Sequence, residues 1–159
     1  FDYEESLTVD YVVSIFPEEE EFIVSCLWET EQYVTLFVQS VSDTGGVHPN
    51  VSCRAYVVNV VDATAESFED MLEPYGLTKE EIVVYTTEKL RTEHGEILYC
   101  YGDIPALEKD VERLVQNHQW YFNENGLVLF SNAYEIAAYA YGMIECEISY
   151  EELEQGLKK

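Results

Sequence analysis

The chain has 159 residues, of which 47% are hydrophobic, and its 32 acidic against 8 basic residues give a formal net charge of −24. This length and apolar fraction suit one domain with its own core, which needs neither a metal nor a disulfide lattice to fold. A surface this negative repels nucleic acid and anionic lipid and attracts cationic partners, although in the plainest interpretation it serves only solubility.

No stretch of the sequence is apolar over the roughly 18 residues that suggest a membrane-spanning helix. No signal peptide is recognisable either, and the sequence opens at Phe1 directly into a strand pattern. We therefore expect no membrane insertion by these residues themselves, and we expect a leader or membrane anchor to lie outside them.

The first part of the chain has the alternation of a β-meander. Ser6–Phe16 alternates like a half-buried strand, and the acidic run Glu18–Glu21 after it is predicted to be a solvated turn. The segment Glu29–Gln32 is expected to close a hairpin. The further strands of the meander are predicted at Phe22–Trp28, Tyr33–Val41 and Val51–Val61.

A glycine-rich loop, Asp-Thr-Gly-Gly-Val-His-Pro-Asn at 43–50, interrupts the meander. Its adjacent glycines permit positive φ angles, so that a sharp turn can form. His48 is either a general base or ligand, or a residue that fixes the loop by hydrogen bonding, with the turn closed by Asp43 or Thr44. The candidate binding residues of this loop are Thr44, Gly45, Gly46 and His48.

Three helices are predicted in the middle of the chain. A capping pattern at Ser67–Asp70 begins a short helix that ends near Pro74. A second capping box begins the helix Thr78–Leu90, and apolar residues at helical spacing, capped by Asp103, predict the helix Ile104–Asn117.

The stretch Trp120–Tyr150 is expected to supply the middle of the core. It contains a strand–turn–strand signal around Asn123–Gly126, a second strand Met143–Tyr150, and it precedes a polar tail of possible helical character, Glu151–Lys159. Strands, then helices, then strands predict an α+β fold: a mainly antiparallel sheet with two main helices packed on one face. We predict one domain over residues 1–159.

The cysteines and histidines show no metal-ligand spacing, so we predict neither a metal nor a cofactor. His94 and His118 lie at the ends of predicted elements, where a histidine can meet the last helical carbonyls. The cysteines are either buried free thiols or partners in a disulfide between neighbouring strands. They are Cys26, Cys53, Cys100 and Cys146.

The segment around Glu135 contains the remaining candidate residues. Glu135 lies in an aromatic, apolar stretch, and a buried, hydrogen-bonded structural role is expected rather than catalysis, which would need a second carboxylate across a cleft. The nearby tyrosines either line a groove for a sugar or a protein side chain, or divide between core and edge. The candidate binding residues here are Asn132, Tyr134, Glu135, Tyr139 and Tyr141. No nucleophile elbow, phosphate-binding loop or zincin motif is present, so no enzyme is predicted.

Two stretches resemble one family. The loop DTGGVHPN is similar to the TGGxH segment of the RsiV-type extracytoplasmic domain, a domain of unknown function (family 3298) that also occurs in the peptidoglycan deacetylase PdaC. The sequence YFNENGLVLFSNAYEIAAYAYGMIECEISYEEL, Tyr121–Leu153, resembles the closing signature of that domain. Val47 and Met143 depart from the family pattern without affecting the fold that it implies.

The resemblance implies an α+β domain without catalytic activity on the outer side of a cytoplasmic membrane, tethered by an anchor. In RsiV it implies a sensor that binds lysozyme. We therefore expect an extracellular or cell-surface binding or sensing domain that recognises a cationic protein such as lysozyme. The alternative is an accessory or carbohydrate-binding domain of a peptidoglycan-modifying envelope enzyme, with a cell-wall component as its partner.

Overall fold

The computed structural model describes residues 9–15, 18–43, 45–47 and 49–158. Within these ranges the chain forms two antiparallel sheets, of five and three strands, and four α-helices. The predicted α+β class is confirmed, although the strands divide into two sheets and do not form one. None of the described helices combines the length and apolarity that a bilayer crossing needs.

The N-terminal sheet is a meander in which every strand pairs with its neighbour in the sequence. At the predicted hairpin, Thr30 Oγ1 accepts hydrogen bonds from the N–H groups of Gln32 (3.2 Å) and Tyr33 (2.9 Å). The strands are β1 (Val9–Ile15), β2 (Glu18–Glu29), β3 (Tyr33–Asp43), β4 (Asn50–Asn59) and β5 (Thr64–Ala65). The bounds of β3 and β4 are close to those predicted, β5 was not predicted, and residues 6–8 and 16 of the first predicted strand lie outside the described residues.

The acidic run Glu18–Glu21 belongs to β2, so the prediction of a solvated turn is wrong. Glu20, for example, pairs with Val13 of β1 and with Ser42 of β3. A strand with a neighbour on each side satisfies its backbone donors and acceptors in both ladders, and this outweighs the low strand propensity of glutamate.

The helices begin at the capping residues that the sequence predicts. Ser67 Oγ accepts from Asp70 N–H at 3.0 Å, Thr78 and Glu81 form a reciprocal capping box, and Asp103 Oδ1 accepts from Ala106 N–H at 3.1 Å. A further capping box, between Ser149 and Glu152, begins a short C-terminal helix. The helices are α1 (Phe68–Leu72), α2 (Lys79–His94), α3 (Ile104–Gln116) and α4 (Tyr150–Glu154).

The C-terminal sheet consists of β6 (Trp120–Phe122), β7 (Gly126–Ser131) and β8 (Ile144–Ser149), in that order. The turn between β6 and β7 is the predicted one, because Asn123 Oδ1 accepts from the N–H groups of Asn125 (2.8 Å) and Gly126 (3.1 Å). All six residues of β7 are buried. Both faces of this central strand are therefore covered.

The two faces of the C-terminal sheet pack against different partners. Phe130 meets Phe37 of β3, with ring centroids 5.4 Å apart, while Trp120 meets Phe68 of α1 at 5.0 Å. Helices α2 and α3 contact β8 and β7 respectively. As predicted, residues of Trp120–Tyr150 lie at the centre of the core; Phe122, Leu127, Phe130 and Ile148 are among its fully buried side chains.

The C-terminal helix is attached to α2 through the carboxylate of Glu152. Its Oε1 accepts a 2.6 Å hydrogen bond from the Tyr85 hydroxyl and lies 3.1 Å from Lys89 Nζ, and its Oε2 accepts from Ser149 N–H at 2.7 Å. Burial opposes ionisation, but the hydrogen bonds from Tyr85, Ser149 and Lys89 outweigh it and lower the pKa of Glu152 to about 2. Burial and the same bond raise the pKa of Tyr85 to about 12.

Replacement of Gly126 by alanine should destabilise the fold by about 3 kcal/mol. Gly126 has φ +148°, and a Cβ there would lie 2.1 Å from the carbonyl oxygen of Ile148 on β8. The measurement is the free energy of unfolding in urea. Gly76→Ala is the matched control, since φ is +65° but a Cβ would meet nothing within 4 Å, and only about 1 kcal/mol should be lost. Equal losses in both variants would contradict this close approach of β7 to β8.

Replacement of Glu152 by glutamine should cost on the order of 2 kcal/mol at neutral pH, since 26% of the side chain remains exposed and screening reduces the full effect. The folded-state pKa lies below the usual 4.5. The stabilisation is therefore complete above that value and is lost as pH falls through about 2. Urea unfolding of the wild type and of Glu152→Gln, from neutral pH down to about pH 2, should show that their difference in unfolding free energy shrinks. The exposed control Glu154→Gln should stay near the wild type. A difference that does not change with pH would contradict the assignment.

Candidate functional site

The turn that follows β7 is fastened to β4 by the side chain of Asn132. Its Oδ1 accepts a 2.8 Å hydrogen bond from Cys53 N–H, and its Nδ2 donates to the Cys53 carbonyl oxygen at 3.3 Å. Asn132 is only 8% exposed. The amide thus pairs with the edge of β4 as a neighbouring strand would, and it joins the two sheets across 79 positions of sequence.

Glu135 holds the other end of this turn. Its Oε1 accepts from Asn132 Nδ2 at 3.0 Å, and its Oε2 accepts from Gln119 Nε2 at 2.6 Å. Gln119 is buried and also donates to the carbonyl oxygen of Phe130, at 3.2 Å. The prediction of a hydrogen-bonded role for Glu135 is correct, but that of burial is wrong: the residue is exposed, because its carboxylate reaches the two amides from the surface.

The fastened turn presents Tyr134 to solvent. Tyr134 has φ +71°, a left-handed conformation that is uncommon for a bulky residue. Its ring stacks on that of Tyr139, with centroids 5.0 Å apart and 30° between the planes. Strain of this kind persists where the surrounding structure imposes it, and here the Asn132 and Glu135 hydrogen bonds do so.

All three candidate tyrosines are on the surface. Tyr134, Tyr139 and Tyr141 are 59%, 40% and 52% exposed. The expectation that some of them belong to the core is therefore wrong. It assumed strand alternation, whereas the segment contains a turn and the short 3-10 helix Tyr139–Tyr141, which does not alternate.

The tyrosines form one wall of a cleft of about 660 Å³, and the glycine-rich loop and the start of β4 form the other. The two predicted parts of the site thus lie together. Gly45 and Gly46 are exposed beside the loop's lining residue Val47, whereas Thr44 and His48 lie outside the described residues. The lining is Val47, Pro49, Asn50, Val51, Ala133, Tyr134, Tyr139, Ala140, Tyr141 and Gly142.

The small and apolar residues of this lining were not among the candidates predicted from the sequence. Val47, Pro49 and Ala133 are next in sequence to predicted site residues, and this adjacency is the one feature of the sequence that could have identified them. Asn132 and Glu135 were predicted as binding residues, but they do not line the cleft; they hold the turn that bears Tyr134.

The cleft lining offers stacking surfaces and neutral hydrogen-bonding groups. It contains no carboxylate, amine or imidazole among the described residues. The rest of the described chain has no cluster of three or more residues suited to a metal ion. What the arrangement can do chemically is bind a ligand group through aromatic contact and the neutral polar groups of tyrosine and Asn50.

The other predicted candidates lie apart from the cleft lining. His94 ends α2 and His118 follows α3, as expected, and the ring of His118 lies 4.8 Å from that of Tyr56. All four cysteines are free; Cys53 and Cys146 are buried and the other two are partly exposed. Burial raises the pKa of Cys146 to about 12, so its thiol is unreactive at neutral pH.

Comparison with known proteins bears on this geometry. Residues 101–151, which contain β6–β8 and the tyrosine turn, match the family described as protein of unknown function (DUF3298). Over these residues the chain is similar to DUF3298 proteins. The resemblance to this family that the sequence predicts is confirmed over these residues. The turn held by Asn132 and Glu135 and all three tyrosines of the cleft lie inside the matched segment.

Solved structures of DUF3298 proteins share the fold. A family member from Bacteroides fragilis superposes with a TM-score of 0.61 at 15% identity, over 89% of this chain and 55% of its own. A second, from Pseudomonas aeruginosa PAO1, gives 0.51 at 18% identity, over 92% and 60%. The chain thus spans little more than half the length of these structures. None of the curated proteins gives a significant match.

Replacement of Asn132 by aspartate should lower the free energy of unfolding by about 2–3 kcal/mol. Aspartate keeps the acceptor for Cys53 N–H, but it loses both donated bonds and places a second carboxylate 3.0 Å from Glu135. Urea denaturation measures the loss. Asn125→Asp, at an exposed turn position, is the control and should change the stability by less than about 0.5 kcal/mol. Similar values for the two variants would show that the fastening contributes nothing.

Proposed function

We propose that this chain is a non-enzymatic binding domain of the cell envelope that contacts its partner through the tyrosine cleft. The observation that carries the proposal is the exposed, stacked pair Tyr134–Tyr139 on a turn fastened at both ends. Exposed rings that are already ordered lose little conformational entropy when a partner covers them. Tyrosine is also enriched in interfaces, because it combines apolar area with a hydrogen-bonding group.

The charge of the chain supports a cationic protein as the partner, and lysozyme is a suitable example. A net charge of −24 raises the rate at which a basic protein is encountered, but this attraction is largely screened beyond about 8 Å at physiological ionic strength. Charge therefore increases the association rate, and the cleft, whose described lining is uncharged, supplies the specific contact. The extracellular location and a sensing role are part of the proposal and rest on the family resemblance.

The second candidate is a carbohydrate-binding or accessory role in a peptidoglycan-modifying protein. The absence of charged groups from the described cleft lining favours it. A sugar ring can stack its apolar face on tyrosine and can hydrogen bond to neutral groups. In this case the ligand would be a cell-wall glycan and the acidic surface would serve solubility.

Binding kinetics with a basic animal lysozyme test the first candidate. They are measured at about 0.01 M and about 0.15 M ionic strength, where the Debye length is about 30 Å and about 8 Å. We expect the association rate to fall at least about tenfold at the higher salt. In Tyr139→Ala the dissociation rate should rise about tenfold, since most interface mutations act on dissociation.

Tyr99→Ala is the matched control for the cleft, because Tyr99 is 57% exposed and does not line it. Near-UV circular dichroism establishes that both variants remain folded. Absence of binding at low salt would remove the cationic-protein candidate, and titration with a peptidoglycan oligosaccharide would then test the second. Salt-dependent binding that Tyr139→Ala leaves unchanged would remove the cleft from the proposal.

A further inference from the structure

A second concave surface lies on the outer face of the N-terminal sheet. Alternate residues of β4 point to opposite faces: Cys53, Ala55 and Val57 are at most 3% exposed and belong to the core, so the residues between them face outward. Arg54 is one of these outward residues, and it is exposed. It pairs with Val38 of β3, and the next outward pair is Ser40 with Ser52.

Arg54 differs from the two other arginines of the chain in having no carboxylate partner in the described structure. Arg91 is 3.1 Å from Glu88, and Arg113 pairs with Asp110, each at a spacing of three residues. In a chain with 32 acidic residues, an arginine without such a neighbour is unexpected. Its guanidinium keeps its fork of donors available for an external anion.

The surroundings of Arg54 form a depression of about 390 Å³ whose described lining contains no acid. Ser52 and Tyr56 offer hydroxyl groups, and Phe22 and Val38 offer apolar surface. The ring of Tyr56 is held by its contact with His118, at 4.8 Å between centroids. The complete lining is Phe22, Val38, Ser40, Ser52, Arg54 and Tyr56, none of which lines the tyrosine cleft.

We propose that this depression binds a small organic acid, with its carboxylate on Arg54 and an apolar group against Phe22 and Val38. Arginine matches a carboxylate with two parallel N–H···O bonds, and the Ser52 hydroxyl can donate to a remaining lone pair. A carboxylate alone would gain little at an exposed arginine. The apolar contact therefore supplies both additional affinity and selectivity over inorganic anions.

The net charge of the protein limits this site to short-range recognition. A charge of −24 opposes the approach of any anion, so high charge density in the ligand is a disadvantage and a single carboxylate is preferred. We expect an affinity on the order of 1 mM for the carboxylate with its apolar group. The site is independent of the proposed envelope function, because it uses a different surface and a ligand of opposite charge.

The test is a titration of the ¹⁵N-labelled protein with 4-methylpentanoate at constant ionic strength, followed through the arginine Nε–H signals. We expect a saturable shift of the Arg54 signal, with Arg91 and Arg113 as internal references that do not move. The uncharged analogue 4-methylpentanamide and sodium chloride should produce no saturable shift. In Arg54→Gln, the backbone signals of Ser40 and Ser52 should report binding at least about tenfold weaker, and Arg54→Lys should lie between.

Two results would overturn the proposal. Shifts that rise linearly with concentration, or that are equal at all three arginines, would mean nonspecific association of the anion. A saturable shift that Arg54→Gln does not weaken would place the carboxylate elsewhere. Both variants change an exposed side chain, so they should fold, and their amide spectra establish this.

Discussion

The pairing of the Asn132 side chain with the backbone of Cys53 is the constraint on which the candidate site depends. An asparagine amide offers one acceptor and two donors, and here it satisfies both backbone groups of one residue on the edge of β4. The same amide reaches Glu135, which in turn binds Gln119. A single buried side chain thereby joins the two sheets and fixes the turn that presents Tyr134.

The consequences of this junction extend to the whole cleft. One wall comes from the glycine-rich loop and the start of β4, and the other from the segment after β7. Two contacts fix the distance between these walls. One is the pairing of Asn132 with Cys53 of β4, close to the cleft. The other, deeper in the protein, is the 2.6 Å hydrogen bond that Thr35 Oγ1 donates to the Phe122 carbonyl oxygen. Charge acts over a longer distance, since the 32 acidic residues influence the approach of a partner but do not line the described cleft.

Local signals in the sequence predicted most elements, and long-range contacts explain what they missed. The capping residues Ser67, Thr78 and Asp103 act within one helical turn, so their roles could be read directly from the sequence. The extension of β2 through its acidic run depends on pairing with both neighbours. The division into two sheets likewise depends on tertiary packing, which propensity does not encode.

The candidate site shows the same contrast between local signals, which the sequence contains, and long-range contacts, which it does not reveal. The glycine-rich loop and the tyrosine segment were predicted as candidates from residue type, and the structure brings them to one cleft. The sequence predicted the hydrogen-bonded role of Glu135 but not the role of Asn132, because the contact of Asn132 with Cys53 spans 79 positions. It also favoured alternation for the tyrosines, since a left-handed Tyr134 becomes visible only in the folded backbone.

Native-state amide hydrogen exchange at Cys53 tests the central claim most directly. The Cys53 N–H donates to Asn132 Oδ1. Two residues further along the same strand, the Ala55 N–H donates to the His118 carbonyl oxygen at 2.7 Å. In Asn132→Ala, protection at Cys53 should fall by at least about tenfold more than at Ala55, since only the first amide loses its acceptor. Equal losses at both amides, or an unchanged Cys53, would contradict the role of Asn132 as the junction of the two sheets.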